Sequence, residues 1–142
     1  MKPLGKIVFA VVVLSAAACS IKPITQESIR ATPEYKLSFS VDRPYQQVFA
    51  DLLDNTRSCF SRVVTQEQLY VAGKKDIGAK TANIIVEHLY AKLEHNVHFM
   101  IDLKSESTNK TAVVAYISDS GEEAKVNAVK AWANNSNKEC EV

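Results

Sequence analysis

The clearest pattern of apolar and polar positions lies in two consecutive segments of the chain. In Tyr35–Val41 every second residue is apolar, which is the pattern of a half-buried strand. Asp42 can then cap a helix, and Pro44 fits its first turn, where a missing N–H costs little. In Tyr45–Phe60 apolar residues recur at steps of three and four, so this segment is predicted as an amphipathic helix.

Two short apolar runs follow this helix. Arg62–Thr65 and Leu69–Gly73 are predicted as strands around a polar turn at Gln66–Gln68. Lys74–Lys80 is predicted as a solvated loop, to which three lysines give a local positive bias. A contact between this loop and a lipid headgroup or a glycan is the alternative interpretation.

The segment Ala82–Leu93 fits two different periods. Its leucines and one isoleucine recur at helical spacing, whereas the run Ile84–Val86 favours a strand. In Val97–Lys104 valine, phenylalanine, isoleucine and leucine occupy every second position, and Glu94–Asn96 suits a hairpin loop between the two segments. We therefore predict that Ala82–Leu93 is a strand facing its hairpin partner.

The C-terminal part of the chain predicts one more strand and one more helix. Ser105–Lys110 is a polar turn, and Thr111–Ile117 is an apolar, β-branched run. Ser120, with Glu123 three residues later, resembles a capping box for a helix ending at about Asn134. Small residues and one tryptophan form its predicted buried side: Ala124, Ala128, Ala131 and Trp132.

The order of these elements is strand, helix, antiparallel strands and helix, which predicts a single α+β domain over residues 35–142. We expect an antiparallel sheet with two helices on one face. Over Tyr35–Asn134 this order resembles the helix-grip arrangement, in which a curved sheet wraps a C-terminal helix. Helix-grip domains also occur in lipoproteins of the outer-membrane barrel-assembly machinery.

The N-terminus has the pattern of a secretory signal. Lys2 and Lys6 precede an apolar run over Ile7–Leu14, and small residues lead from there to Cys19. The apolar run is shorter than the roughly 20 residues that a membrane-spanning helix needs. This pattern predicts an exported protein.

A cysteine directly after small residues resembles the lipobox of bacterial lipoproteins. The resemblance implies that residues 1–18 are removed and that Cys19 is lipidated as the first mature residue. Ala16 stands where the family usually has leucine. An ordinary cleaved signal, in which Cys19 is incidental, remains the alternative.

The residue after the cysteine and the segment that follows it bear on location. Ser20 follows Cys19, and in such lipoproteins a residue other than aspartate there usually implies export to the outer membrane. Residues 19–34 contain two prolines and no sustained apolar period, so they are predicted as a tether. Fully extended, this tether would reach about 50 Å.

Charge excludes one class of partner. Loss of Lys2 and Lys6 with the signal leaves 15 basic and 16 acidic residues. No basic tract remains that could bind nucleic acid electrostatically.

Cysteine usage suggests one covalent link. If Cys19 carries lipid, Cys59 and Cys140 remain as a pair in an oxidising compartment. We predict a disulfide between them. The alternative is that Cys59 is a small buried residue and Cys140 a reduced residue in a frayed tail.

Three histidines, His88, His95 and His98, are the candidates for metal binding or catalysis. His95 and His98 stand near Glu94, but residues three apart on a strand point to opposite faces, so sharing a metal needs an irregular loop. With the hairpin loop described above, His88 would lie opposite Asp102 as a polar pair on the solvent face. No nucleophile, zinc or nucleotide motif accompanies them. We expect no catalytic residue, no metal ligand, no cofactor and no enzymatic activity.

The aromatic residues are predicted to form the core. Between a sheet and its helices, the same side chains could instead line a cavity for an apolar ligand. These residues are Tyr35, Phe39, Tyr45, Phe49, Phe60, Phe99 and Trp132.

The sequence therefore predicts an outer-membrane lipoprotein whose domain faces the periplasm. We expect a non-enzymatic accessory or assembly factor that binds another envelope protein through an exposed face of its sheet or helices. A carrier of an apolar ligand in the helix–sheet interior is the alternative.

Overall fold

A computed structural model describes residues 22–60, 63–64, 67–90, 94–120, 123–135 and 140. The predicted signal at residues 1–18, together with Cys19 and Ser20, lies outside these residues. Within these residues, three helices and six strands follow one another. They are α1 (Gln26–Ala31), β1 (Tyr35–Val41), α2 (Tyr45–Phe60), β2 (Val63–Val64), β3 (Glu67–Asp76), β4 (Thr81–Tyr90), β5 (Glu94–Ser107), β6 (Lys110–Ile117) and α3 (Glu123–Ala133).

All six strands pair antiparallel in one open sheet with the order β1-β6-β5-β4-β3-β2. Five strands are long, and β2 adds a two-residue pairing at one edge. Helices α2 and α3 pack on the same face of this sheet and contact each other. The predicted α+β class, with two helices on one face of an antiparallel sheet, is confirmed.

The main core lies between this first face of the sheet and the two helices. Val48 and Leu52 of α2 and Val126 and Val129 of α3 are fully buried in it. Strands β4, β5 and β6 supply its other side, where the side chains are 0–2% exposed. The fully buried strand residues of this cluster are Ile84, Val86, Phe99, Ile101, Leu103, Val113, Ala115 and Ile117.

The junction between β1 and α2 is fixed by Arg43. Its guanidinium donates to the Ala133 carbonyl at 2.9 Å and to the Asp51 carboxylate at 2.6 Å. The Arg43 carbonyl accepts a hydrogen bond from the Thr111 hydroxyl at 2.7 Å. The start of α2 is thereby joined to the end of α3 and the start of β6. The bounds predicted for β1 agree with the structure, whereas α2 begins at Tyr45, with the Pro44 carbonyl accepting from the Gln47 and Val48 amides, and not with the predicted cap at Asp42.

Strand β3 is longer than the sequence predicts. It runs from Glu67 to Asp76, so the predicted polar turn at Gln66–Gln68 and the predicted loop at Lys74–Lys80 are both wrong in part. Of the predicted loop at Lys74–Lys80, residues 77–80 form a turn. The polar segment continues the strand because its backbone pairs with β4, and an edge strand tolerates lysine side chains.

Strand β4 is confirmed as a strand, but its register with β5 differs from the prediction. His88 pairs with Asn96, and Asp102 pairs with Asn83, so the predicted His88–Asp102 pair is wrong. Part of the difference is a bulge in β5, since Val86 pairs with Phe99 whereas its neighbour Glu87 pairs with Val97. The extra residue in β5 is therefore at position 98. Such a bulge is invisible to a strict two-residue pattern.

Helix α3 buries a different side from the one predicted. Its buried residues are Val126, Val129, Trp132 and Ala133, and Ala124 is exposed. Of the predicted small-residue face, only Trp132 is buried. Valine side chains bury more apolar surface than alanine, so the helix orients them toward the sheet.

The helix α1 lies where the sequence predicts a tether. Thr25 and Ser28 form a reciprocal cap at its start, and the Ile29 side chain is 1% exposed. Ile29 packs with Met100 and Tyr116 on the second face of the sheet, opposite α2 and α3. The interpretation of residues 19–34 as an extended tether is therefore corrected for its second half.

Within the part of the chain that the structure describes, no helix combines the length and the apolar character needed to cross a membrane.

Candidate binding surface on the second face of the sheet

The second face of the sheet is only partly covered. Helix α1 covers one half, where Met100 and Tyr116 are buried beneath Ile29. The other half is uncovered in the described structure, and we call its residues the open face. They are Lys74, Asp76, Thr81, Asn83, Lys104 and Ala112.

A cleft of about 600 Å³ separates the open face from α1. Gln26 and Arg30 form its wall on the helix side. Alternation places these strand residues on one face, because Asn83 pairs with Asp102 and Ala112 pairs with Lys104. The arrangement gives a mixed surface of charged, small polar and alanine side chains.

The strongest polar contact in the cleft joins α1 to β5. Arg30 donates two hydrogen bonds to the Asp102 carboxylate, from Nε at 2.7 Å and from Nη2 at 2.8 Å. Asn83 Nδ2 donates to the same carboxylate at 3.3 Å. The hydrogen bonds that Arg30 donates to Asp102 raise the pKa of its guanidinium, so Arg30 keeps its charge. This bidentate pair fixes both the helix and the wall of the cleft.

Tyr116 lies beneath the same pair. Burial raises the pKa of the Tyr116 phenol, and the negative charge of Asp102 raises it further. The Arg30 charge opposes both effects. The Lys36 ammonium lies 5.6 Å from the centre of the Tyr116 ring, which is cation–π distance. The tyrosine therefore stays neutral and serves as packing for α1.

A second polar cluster lies where β4, β5 and β6 meet the segment before α1. His98 Nδ1 is 2.9 Å from the Asp119 carboxylate, and the His88 and His98 rings meet edge to face with centres 4.7 Å apart. The Ser118 hydroxyl donates to the His98 carbonyl at 3.2 Å. Sequence reasoning missed this cluster because the bulge changes which residues are neighbours.

The predicted cysteine pair agrees with the structure. The Cys59 and Cys140 sulfur atoms are at bonding distance, and the two Cα atoms are 5.3 Å apart. Cys59 is 7% exposed at the end of α2, and Cys140 packs against the main core. The bond links the end of α2 to a residue C-terminal to α3.

The predicted core aromatics lie in or beside the core. Tyr45, Phe49 and Trp132 are buried, and Phe60 stacks on Phe99 with ring centres 5.2 Å apart. Two more aromatic residues are half-buried and pack on the core from β1, namely Tyr35 and Phe39.

Metal binding finds no support in the described residues, among which no group of three or more histidine, cysteine and acidic side chains could hold an ion. His88 and His98 are brought together, whereas the side chain of His95 lies outside what the structure describes.

The comparison with known protein families gives no matching family model. The comparison with curated proteins gives no match either.

Proposed function

We propose that this protein is an outer-membrane lipoprotein, anchored through Cys19, whose domain faces the periplasm. In this proposal it acts as a non-enzymatic accessory or assembly factor that binds another envelope protein. The signal-like N-terminus and the lipobox resemblance support the anchor. The pairing of Cys59 with Cys140 supports an oxidising compartment, since such bonds persist there.

The observation that carries the binding role is the open face. Large antiparallel sheets usually pack one face on a core and leave the other to solvent, but here α1 covers half of the second face. The uncovered half adjoins an edge, because β3 beyond Gln68 pairs with β4 on one side and with no described strand on the other. A partner can therefore contact side chains in the cleft and the backbone of β3 together.

The packing of the interior favours this role over the carrier of an apolar ligand. Apolar side chains from the sheet and from both helices fill the space between them and are fully buried there, among them Leu52, Ile101 and Val126. Helix α2 also comes close to the sheet at Gly73, where an added Cβ would lie 2.9 Å from both Leu53 Cδ1 and Phe49 Cζ. Even one methyl group has no room there without movement of its neighbours.

Site-specific photo-crosslinking in intact cells tests the binding role. A photoreactive amino acid at Ala112 or Thr81 samples the open face, and the same residue at Gln47 or Asn127 samples the exposed sides of α2 and α3. We expect one discrete protein adduct from the open-face positions and none from the helix positions. Adducts of equal yield from both sets, or from the helices alone, would contradict the proposal.

A charge placed on the same surface gives a second test. Lys104→Glu replaces a positive charge at the cleft with a negative one. Lys130→Glu makes the same change on the exposed side of α3 and serves as the matched control. We expect Lys104→Glu to reduce the adduct formed from Thr81 and Lys130→Glu to leave it unchanged. Equal effects of the two variants would indicate a response to net charge alone.

The anchor is tested separately with Cys19→Ala. The variant should accumulate as an unlipidated precursor, because the lipoprotein peptidase acts on the lipidated cysteine. Intact-mass measurement of the membrane fraction provides the readout, with Cys140→Ala as a control that removes a cysteine elsewhere in the chain. Normal maturation of Cys19→Ala would refute the lipoprotein assignment.

A further inference from the structure

The structure fixes the point at which the described fold begins. The Ile24 amide donates to Asn96 Oδ1 at 2.8 Å, and the Ile24 carbonyl accepts from the Val97 amide at 2.8 Å. These two bonds join Ile24 to the start of β5. We call this end of the sheet, formed by Ile24, Asn96, Val97 and Ser118, the anchor end.

The segment after Ile24 is fastened along its length. Ile29 is buried on the second face of the sheet, so its side chain holds α1 there by apolar burial. Arg30 makes its bidentate pair with Asp102, and the Glu34 amide donates to the Ile117 carbonyl at 2.9 Å. Residues 24–34 therefore belong to the domain and add nothing to the reach of a tether.

We infer that the anchor end lies against the bilayer surface. This inference rests on the proposed lipidation of Cys19. Five residue steps separate Cys19 from Ile24, so the chain between them spans at most about 18 Å. That is about a third of the reach of the tether that the sequence pattern predicts. The occupant of the surface around Ile24 is therefore lipid headgroups.

The opposite end of the sheet faces the periplasm in this orientation. The turn at residues 77–80 lies at the far end of β5 from Ile24, because the seven residue steps from Val97 to Lys104 rise roughly 23 Å at about 3.3 Å each. It carries Ile77, which is 73% exposed, and the neighbouring Lys75 and Lys80 are exposed as well. Lysines near an exposed apolar residue would favour the reverse orientation on an anionic membrane. The short segment between Cys19 and Ile24 opposes this reverse orientation, because it keeps the anchor end close to the lipid.

Fluorescence quenching in vesicles tests the orientation. The full lipidated protein is reconstituted in vesicles of phosphatidylethanolamine and phosphatidylglycerol that carry a headgroup quencher. A fluorescent amino acid is placed at Glu34, beside the anchor end, or at Ala79, in the far turn; both side chains are exposed. We expect strong quenching at Glu34 and weak quenching at Ala79. Stronger quenching at Ala79, or equal quenching at the two positions, would overturn the inference.

A longer link provides the matched control. About twelve glycine and serine residues inserted after Ser20 would restore roughly the reach of the predicted tether. The difference between Glu34 and Ala79 should then disappear, and a difference that persists would show that the link does not set the orientation. Intact-mass measurement precedes the assay. An unlipidated Cys19 overturns both the proposed function and the inference, whereas equal quenching of a lipidated protein overturns the orientation alone.

Discussion

Removing the bond between Cys59 and Cys140 should destabilise the domain strongly. The two residues are 81 positions apart, and closing a loop of that length is worth about 4.5 kcal/mol in the chain-entropy model. Residual structure in the unfolded chain reduces this value, so we expect a loss of about 2–4 kcal/mol. For a domain of this size that corresponds to a melting temperature lower by about 8–16 °C.

The two cysteine variants should differ, because the residues differ in burial. Cys59 is 7% exposed in the main core, so Cys59→Ser also buries a hydroxyl group. Cys140 is only half-buried, so Cys140→Ser removes little besides the bond. We expect Cys59→Ser to be less stable than Cys140→Ser by about 1 kcal/mol.

Thermal unfolding of the mature domain, followed by circular dichroism, measures both effects. Wild-type protein in reductant is the matched control, because it loses the bond without any substitution. Reduced wild type should melt close to Cys140→Ser. If oxidised and reduced wild type melt at the same temperature, the loop-closure reasoning is refuted, whatever the variants do.

Three further variants test other features of the fold. Gly73→Ala should cost about 1–2 kcal/mol in urea unfolding, because its methyl group would press on Leu53 and Phe49; an unchanged midpoint would show that these side chains move freely. Asp102→Asn should speed hydrogen exchange of the α1 amides with little change in global stability, since it weakens a surface pair that holds the helix. Tyr116→Phe should reduce the loss of stability above about pH 10, because a phenol whose pKa is raised on folding favours the unfolded state as pH rises; an identical pH profile would contradict this.

The sequence predicts those elements whose own pattern decides their structure. Strand β1 has the predicted bounds and α2 forms over the predicted apolar segment Tyr45–Phe60, because each has a clean period. The pattern of β4 alone fits a helix or a strand. The strand was predicted because the following segment, Val97–Lys104, has the pattern of a strand that could pair with it. The fold class follows from the order of these elements.

The remaining differences have tertiary causes. Helix α1 has six residues and only one fully buried side chain, so its local pattern is too weak to detect. The neighbours of His98 depend on a bulge whose position is set by the pairing of two strands. In α3 the valines compete with the alanines for the sheet, and only packing decides between them. The position of the open face could not be predicted, because it depends on which part of the sheet α1 covers, and α1 itself was not predicted.

The docking of α1 has a consequence for the order of events during synthesis and export. Its hydrogen bonds and ion pair to β5 join residues 72 positions apart, and a helix of six residues is not stable alone. Helix α1 can therefore form only after β4, β5 and β6 have assembled the surface that receives it. The segment next to Cys19 is made early and folds late. If lipid is attached to Cys19 and the signal is cut before the sheet is complete, both steps act on a segment that has not yet docked, and the completed fold then draws it onto the sheet.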